Sequence, residues 1–127
     1  MADMRTPLNK VRGLGSAKEG ADHFWRQRMT ALANVPLTIF FVVTLISLWG
    51  KDYAAVTSYL GSPVVGIVML ALVVSAMVHM RLGMQTIIED YVHSEGIKVL
   101  CLMLNTFFVI LVGLSCVYAI VKLSLGA

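Results

Sequence analysis

Three long stretches without Asp, Glu, Lys or Arg take up most of this chain of 127 residues. They cover residues 29–50, 53–80 and 99–121, which gives lengths of 22, 28 and 23 residues. Each exceeds the roughly 20 residues that an α-helix needs to cross a hydrocarbon core about 30 Å thick. Because 58% of the residues are hydrophobic and only 13% are charged, an ordinary soluble domain is excluded. The sequence predicts an all-α membrane protein with three transmembrane helices.

The chain is predicted to be a single membrane domain that follows a polar tail. Residues 1–21 are polar and contain one proline and several glycines, which indicates a flexible or partner-ordered cytoplasmic tail. Residues 22–127 are predicted to form a three-helix transmembrane anchor. Its helices are expected at about 24–50, 63–91 and 97–123.

Local signals place the ends of these helices. Asp22 is predicted to cap the first helix and Gly50 to end it, and Pro63 suits the first turn of the second helix. Residues 51–62 are predicted to be a short loop. Pro36 falls inside the first helix, a position that membrane helices tolerate when neighbouring groups satisfy the freed carbonyl.

The distribution of basic residues predicts the orientation. Cytoplasmic flanks retain Lys and Arg, whereas the first loop offers only Lys51 and the C-terminal end only Lys122. Six basic residues precede the first span: Arg5, Lys10, Arg12, Lys18, Arg26 and Arg28. The N-terminus is therefore predicted to be cytoplasmic and the second helix to run inward.

The same tail gives the chain most of its net charge of +3. It could contact anionic membrane lipid or an acidic soluble partner, and nothing indicates binding to nucleic acid. Acidic residues in the tail disfavour a mitochondrial transit peptide, so a bacterial inner membrane is expected rather than a mitochondrial one.

An ionisable side chain, His79, lies deep in the second span. Helical spacing groups it with small and polar residues on one face: Ser75, Ala76, His79, Gly83, Thr86 and Asp90. Such a face either lets helices approach closely or leaves room for a flat cofactor. Since three helices enclose little volume, a second chain is expected to cover this face.

Two interpretations of His79 stay open at this point. The imidazole could form a hydrogen bond across a helix interface, or it could be an axial ligand of a heme iron in an apolar cleft between helices. The sequence has no Cys-x-x-Cys-His motif, so such a heme would be bound without covalent attachment. Its second axial ligand would come from another subunit. Ser75 and Gly83, on the same face, are candidate cofactor-binding residues.

Asp90 and Tyr91 lie where the second helix meets the cytoplasmic interface. They could form an ordinary helix end, or they could assist the reduction of a quinone, because a phenol can donate a hydrogen bond to a carbonyl while a carboxylate relays protons. Arg28, on the same side of the membrane, could anchor its helix at the interface or pair with heme propionates or a quinone oxygen. Arg81 lies about 200° around the helix from His79 and should face away from any cofactor there.

The run from His79 to Tyr91 resembles the second helix of the small hydrophobic membrane anchor of succinate dehydrogenase. The shared features are the histidine, the later Gly83 and the terminal Asp90-Tyr91 pair. The segment Arg28-Met29-Thr30-Ala31 also resembles the start of that family's first helix.

The resemblance implies specific roles. It implies that His79 is an axial ligand of heme b, that Tyr91 donates a hydrogen bond to ubiquinone, and that Asp90 assists proton delivery. Arg28 would be the charge partner near the heme propionates and the quinone. Arg81 matches nothing in this pattern and inherits no role.

The expected function is that of the anchor subunit of succinate:ubiquinone oxidoreductase, which does not itself oxidise succinate. The expected partners are a cytochrome b anchor subunit with three helices, an iron–sulfur subunit and a flavoprotein subunit. The alternative is a non-redox helical scaffold in a membrane complex, in which His79 and Asp90 only satisfy hydrogen bonds between helices.

Overall fold

A computed structural model of the chain describes residues 6–13 and 19–125, and this part of the chain is helical, without strands. Its helices are α1 (Pro7–Val11), α2 (Glu19–Leu48), α3 (Tyr53–Leu60), α4 (Pro63–Tyr91) and α5 (Glu95–Ser124). Of these, α2, α4 and α5 are long and apolar enough to cross a membrane. The prediction of an all-α protein with three transmembrane helices is confirmed.

The predicted polar tail contains helical structure in the parts that are described. Helix α1 begins after Thr6, whose hydroxyl oxygen accepts a hydrogen bond from the Asn9 amide at 3.3 Å. Helix α2 begins at Glu19 and continues through Pro36. Asp22 therefore lies inside α2, and its predicted role as the N-cap is wrong. The predictions for residues 1–5 and 14–18 lie outside the described residues.

The segment between the first two spans is a short helix, not the predicted loop. Gly50 adopts a φ of 73°, a left-handed conformation that ends the preceding helix at little steric cost. Asp52 then caps α3, because its carboxylate accepts a hydrogen bond from the Ala55 amide at 3.1 Å. Pro63 is the first residue of α4, as predicted.

Helix α4 is central to the packing, because α2 and α5 both pack against it. Small residues bring the helices close together: a Cβ atom added to Gly113 of α5 would lie 3.4 Å from the Met77 side chain of α4. The buried apolar residues of the described part are Val65, Ile88 and Val109. Most apolar side chains of the three long helices consequently face outward, where lipid or another chain can cover them.

Candidate functional site

His79 faces α2 across the interface between α2 and α4. Its Nδ1 atom lies 3.3 Å from the backbone carbonyl oxygen of Gln27 and 3.2 Å from the Thr30 hydroxyl oxygen. The ring is partly buried. Its Nε2 atom has no hydrogen-bond partner among the described residues, and this atom is not fully buried. Nε2 is therefore accessible to a ligand or to another chain.

Other members of the polar face of α4 also lie against α2. The Ser75 hydroxyl donates a hydrogen bond to the Thr30 carbonyl oxygen at 3.4 Å. A Cβ atom on Gly83 would lie 3.8 Å from the Gln27 side-chain nitrogen. Helix α2 of the same chain therefore covers part of this face, at Ser75, His79 and Gly83. The expectation that a second chain covers the face stays a prediction.

The sequence did not single out the two α2 residues that contact His79. Gln27 contributes a backbone carbonyl, which every residue type carries, so no side-chain signal identifies it. Thr30 follows three positions later on the same face of α2. A hydroxyl side chain where a helix enters the membrane is the signal that could have pointed to Thr30.

Asp90 and Tyr91 are adjacent at the end of α4, as the sequence predicts, and both side chains are exposed. Tyr91 has 76% of its surface accessible. Neither side chain forms a hydrogen bond or an ion pair with another residue within 6–13 or 19–125. Since α4 is continuous, Asp90 lies about 16 Å along the helix axis from His79. The phenol and the carboxylate are thus free to contact a ligand or another chain.

Arg28 is held beside an aromatic ring of its own helix. Its guanidinium carbon lies 4.9 Å from the centre of the Phe24 ring, which is the distance of a cation–π contact. The side chain is exposed, and it forms no ion pair or hydrogen bond with the rest of the described chain. Within the described residues, no hydrogen bond or ion pair joins Arg28 to His79, Asp90 or Tyr91.

A polar cleft of about 590 Å³ lies between the first turns of α2 and the second half of α4. Arg81 lines this cleft together with residues of α2. The prediction that Arg81 faces away from any cofactor bound at His79 stays a prediction. The polar side chains that line it are Asp22, His23, Arg26, Arg81, Gln85 and Glu89. The Arg81 backbone carbonyl also accepts a hydrogen bond from Asn105 of α5 at 3.0 Å.

No group of three or more His, Cys, Asp or Glu side chains in the described ranges is arranged to hold a metal ion. An axial position on a heme requires one histidine from a given chain, because the porphyrin supplies the equatorial ligands. Of the described histidines, His79 lies near the middle of a span, in α4, and could fill this position, whereas His23 lies in the first turns of α2.

Comparison with known proteins gives consistent matches. A family model for the succinate dehydrogenase/fumarate reductase transmembrane subunit matches residues 2–113. The succinate dehydrogenase hydrophobic membrane anchor subunit of Paracoccus denitrificans is 30% identical over 122 residues, which are 96% of this chain and 94% of the relative. No solved structure shows significant similarity to the chain.

The anchor subunits of two Rickettsia species are also similar. That of Rickettsia bellii is 30% identical over 96 residues, which are 76% of this chain and 77% of the relative. That of Rickettsia conorii is 28% identical over 120 residues, which are 94% of this chain and 90% of the relative. Together with the three apolar helices, these matches identify a multi-pass membrane protein, and the chain belongs to the family of succinate dehydrogenase hydrophobic membrane anchor subunits.

Proposed function

We propose that this chain anchors a succinate:ubiquinone oxidoreductase in a bacterial inner membrane, contributes His79 as an axial ligand of heme b, and forms part of the site that reduces ubiquinone. The partners would be a cytochrome b anchor subunit, an iron–sulfur subunit and a flavoprotein subunit. The observation that carries the proposal is the environment of His79. Nδ1 of His79 contacts the Gln27 carbonyl and the Thr30 hydroxyl of α2, whereas Nε2 has no partner in the described chain.

This arrangement fits a heme ligand. Ligating histidines commonly donate the N–H of one ring nitrogen to a carbonyl group, which fixes the ring while the other nitrogen binds the metal. The Gln27 carbonyl oxygen lies 3.3 Å from Nδ1, which is within hydrogen-bond distance. When bound, heme b would supply a one-electron redox centre between the helices. Ser75 and Gly83 would help to set the position of His79 because they lie where α4 meets α2.

Quinone reduction would take place at the other end of α4. Ubiquinone becomes ubiquinol by taking up two electrons and two protons, and the electrons would arrive one at a time from the iron–sulfur subunit. The Tyr91 phenol would donate a hydrogen bond to a quinone carbonyl, and Asp90 with water would deliver protons. Their exposure and lack of partners in the described chain support this role. Arg28 would act as a charge partner only after leaving its stacked position on Phe24.

A non-redox scaffold remains the second candidate, because the Nδ1 contact of His79 with α2 is also what a purely structural histidine would form. The two functions differ in the use of Nε2. In a scaffold this nitrogen would contact lipid or a polar group of another chain, and the purified complex would have no heme spectrum that depends on His79.

The experiment that separates them is His79→Ala in the complete complex. We expect the reduced b-type absorption bands of the purified complex to be lost, because an iron ligand is removed. His93→Ala is the control, since His93 is an exposed histidine in the turn after α4 and should leave the bands unchanged. A complex that keeps its full heme content after His79→Ala would contradict the proposal.

A further inference from the structure

The Thr30 hydroxyl lies among several hydrogen-bonding groups at the interface of α2 and α4. Its oxygen is 2.8 Å from the Arg26 carbonyl oxygen and 3.1 Å from the Gln27 carbonyl oxygen, both in the preceding turn of α2. It is also 3.2 Å from His79 Nδ1. A hydroxyl has one proton to donate and lone pairs that accept. With its proton directed to a carbonyl, the Thr30 oxygen is left to accept from the histidine.

The second neighbour of Nδ1 requires the same direction. The Gln27 carbonyl oxygen, 3.3 Å from Nδ1, can only accept a hydrogen bond. The opposite tautomer would place the Nδ1 lone pair against this oxygen and would take the Thr30 proton away from both carbonyls. Two acceptors beside one ring nitrogen therefore favour a proton on Nδ1.

We propose that Thr30 is a positioning residue for His79. Together with the Gln27 carbonyl, its hydroxyl holds the imidazole as the Nδ1–H tautomer and turns the unprotonated Nε2 away from α2. The hydrogen bond from the Ser75 hydroxyl to the Thr30 carbonyl fastens α4 to the same turn of α2. The histidine is thus oriented before any ligand binds to it.

The consequence for heme rests on the function proposed above. A hydrogen bond from the noncoordinating N–H raises the basicity of the ligating nitrogen. A more basic imidazole donates more electron density to iron and stabilises the ferric form relative to the ferrous form. Removing one of the two acceptors should therefore raise the midpoint potential of the heme. The remaining Gln27 carbonyl should keep the histidine bound.

The test is Thr30→Val in the intact complex, followed by spectroscopic redox titration of the heme. Valine keeps the β-branched shape and removes only the hydroxyl. We expect the heme to be retained and its ferrous-to-ferric ratio at a fixed potential to increase about two- to tenfold, the range that one hydrogen bond supports. If the valine variant does not assemble, Thr30→Ala carries the same expectation, because it also lacks the hydroxyl.

Two control variants isolate the hydroxyl. Thr30→Ser keeps it and should titrate like the unchanged complex. Thr38→Val makes the same chemical change at an exposed threonine of α2 and should leave the potential unchanged. An unchanged potential in Thr30→Val, or an equal shift in Thr30→Ser, would overturn the positioning role.

The result is separate from the test of heme ligation itself. Loss of the heme bands in His79→Ala together with an unchanged potential in Thr30→Val would refute the role of Thr30 and leave the proposed ligand in place. Heme that persists in His79→Ala would instead refute the ligand, and the positioning role with it.

Discussion

At the scale of single residues, Asp90 and Tyr91 differ from His79 in burial and in hydrogen-bond partners. His79 is partly buried and contacts α2, whereas the two terminal side chains of α4 are exposed and form no bonds within the described chain. A polar group with a fixed partner is suited to holding something in place. Two polar groups without partners are suited to a ligand that arrives and leaves, which is what a quinone does in each turnover.

This difference leads to a prediction for Tyr91→Phe in the complete complex. Quinone reduction should fall about fivefold, because a hydrogen bond to a neutral carbonyl contributes on the order of 1 kcal/mol and 1.4 kcal/mol is a factor of ten. Succinate oxidation with an artificial dye as electron acceptor should stay near its original rate, since the dye does not use this site.

The matched control is Tyr118→Phe, which removes the hydroxyl of another exposed tyrosine, in α5. It should leave both rates unchanged. Equal quinone reduction by the Tyr91→Phe complex and the unchanged complex would remove the phenol from the mechanism.

At the scale of helices, the three spans could be predicted because bilayer thickness sets their length and composition. The short helix α3 could not, since eight residues are marginally helical on their own and depend on packing against α4 and α5. The candidate site also contains features that the sequence predicts and features that it does not. Spacing predicted that Asp90 and Tyr91 end the helix that carries His79, and α4 confirms this. The contact of His79 with Gln27 is a tertiary contact through a backbone carbonyl and has no sequence signature.

The end of α3 gives a prediction about this packing. A Cβ atom at Gly61 would lie 2.9 Å from the Leu123 carbonyl oxygen near the end of α5, so alanine there must push two backbones apart. Gly61→Ala should lower the free energy of unfolding by about 1–3 kcal/mol, as overpacking does. Thermal unfolding of the detergent-solubilised complex would register this as a lower Tm.

Gly96→Ala provides the comparison. Gly96 lies in the first turn of α5 with no atom within 4 Å of an added Cβ, and alanine favours the helix by roughly 0.5–1 kcal/mol. Its Tm should stay the same or rise. If both alanine variants unfold at the same temperature, the close approach of α3 and α5 is not a stability determinant.

At the scale of the whole molecule, the three long helices cover little of one another. Large apolar side chains are exposed along α2, α4 and α5, and this chain alone has too small an interior to enclose a porphyrin. The proposed heme therefore requires a second chain opposite His79, and that chain would supply the other axial ligand. Exposed apolar surface costs little free energy in a membrane, because lipid tails cover the side chains that the partner chain does not.

The orientation of the molecule can be tested by cysteine labelling. Six basic residues before the first span predict a cytoplasmic N-terminus, which places α3 outside and the turn between α4 and α5 inside. In a chain whose Cys101 and Cys116 are replaced by alanine, Ser58→Cys in α3 should react with a membrane-impermeant maleimide in intact spheroplasts. His93→Cys should react only after the membrane is dissolved. Both positions are exposed, so accessibility within the chain does not bias the comparison.

The labelling pattern bears directly on the chemistry. With His93 inside, Asp90 and Tyr91 lie on the cytoplasmic face, where the iron–sulfur and flavoprotein subunits would dock and where the protons for ubiquinol would be taken up. Electron arrival and proton uptake would then occur at one end of α4. The reverse pattern, with His93→Cys labelled in intact spheroplasts, would separate Tyr91 from any electron donor on the cytoplasmic side and would contradict the proposed quinone site.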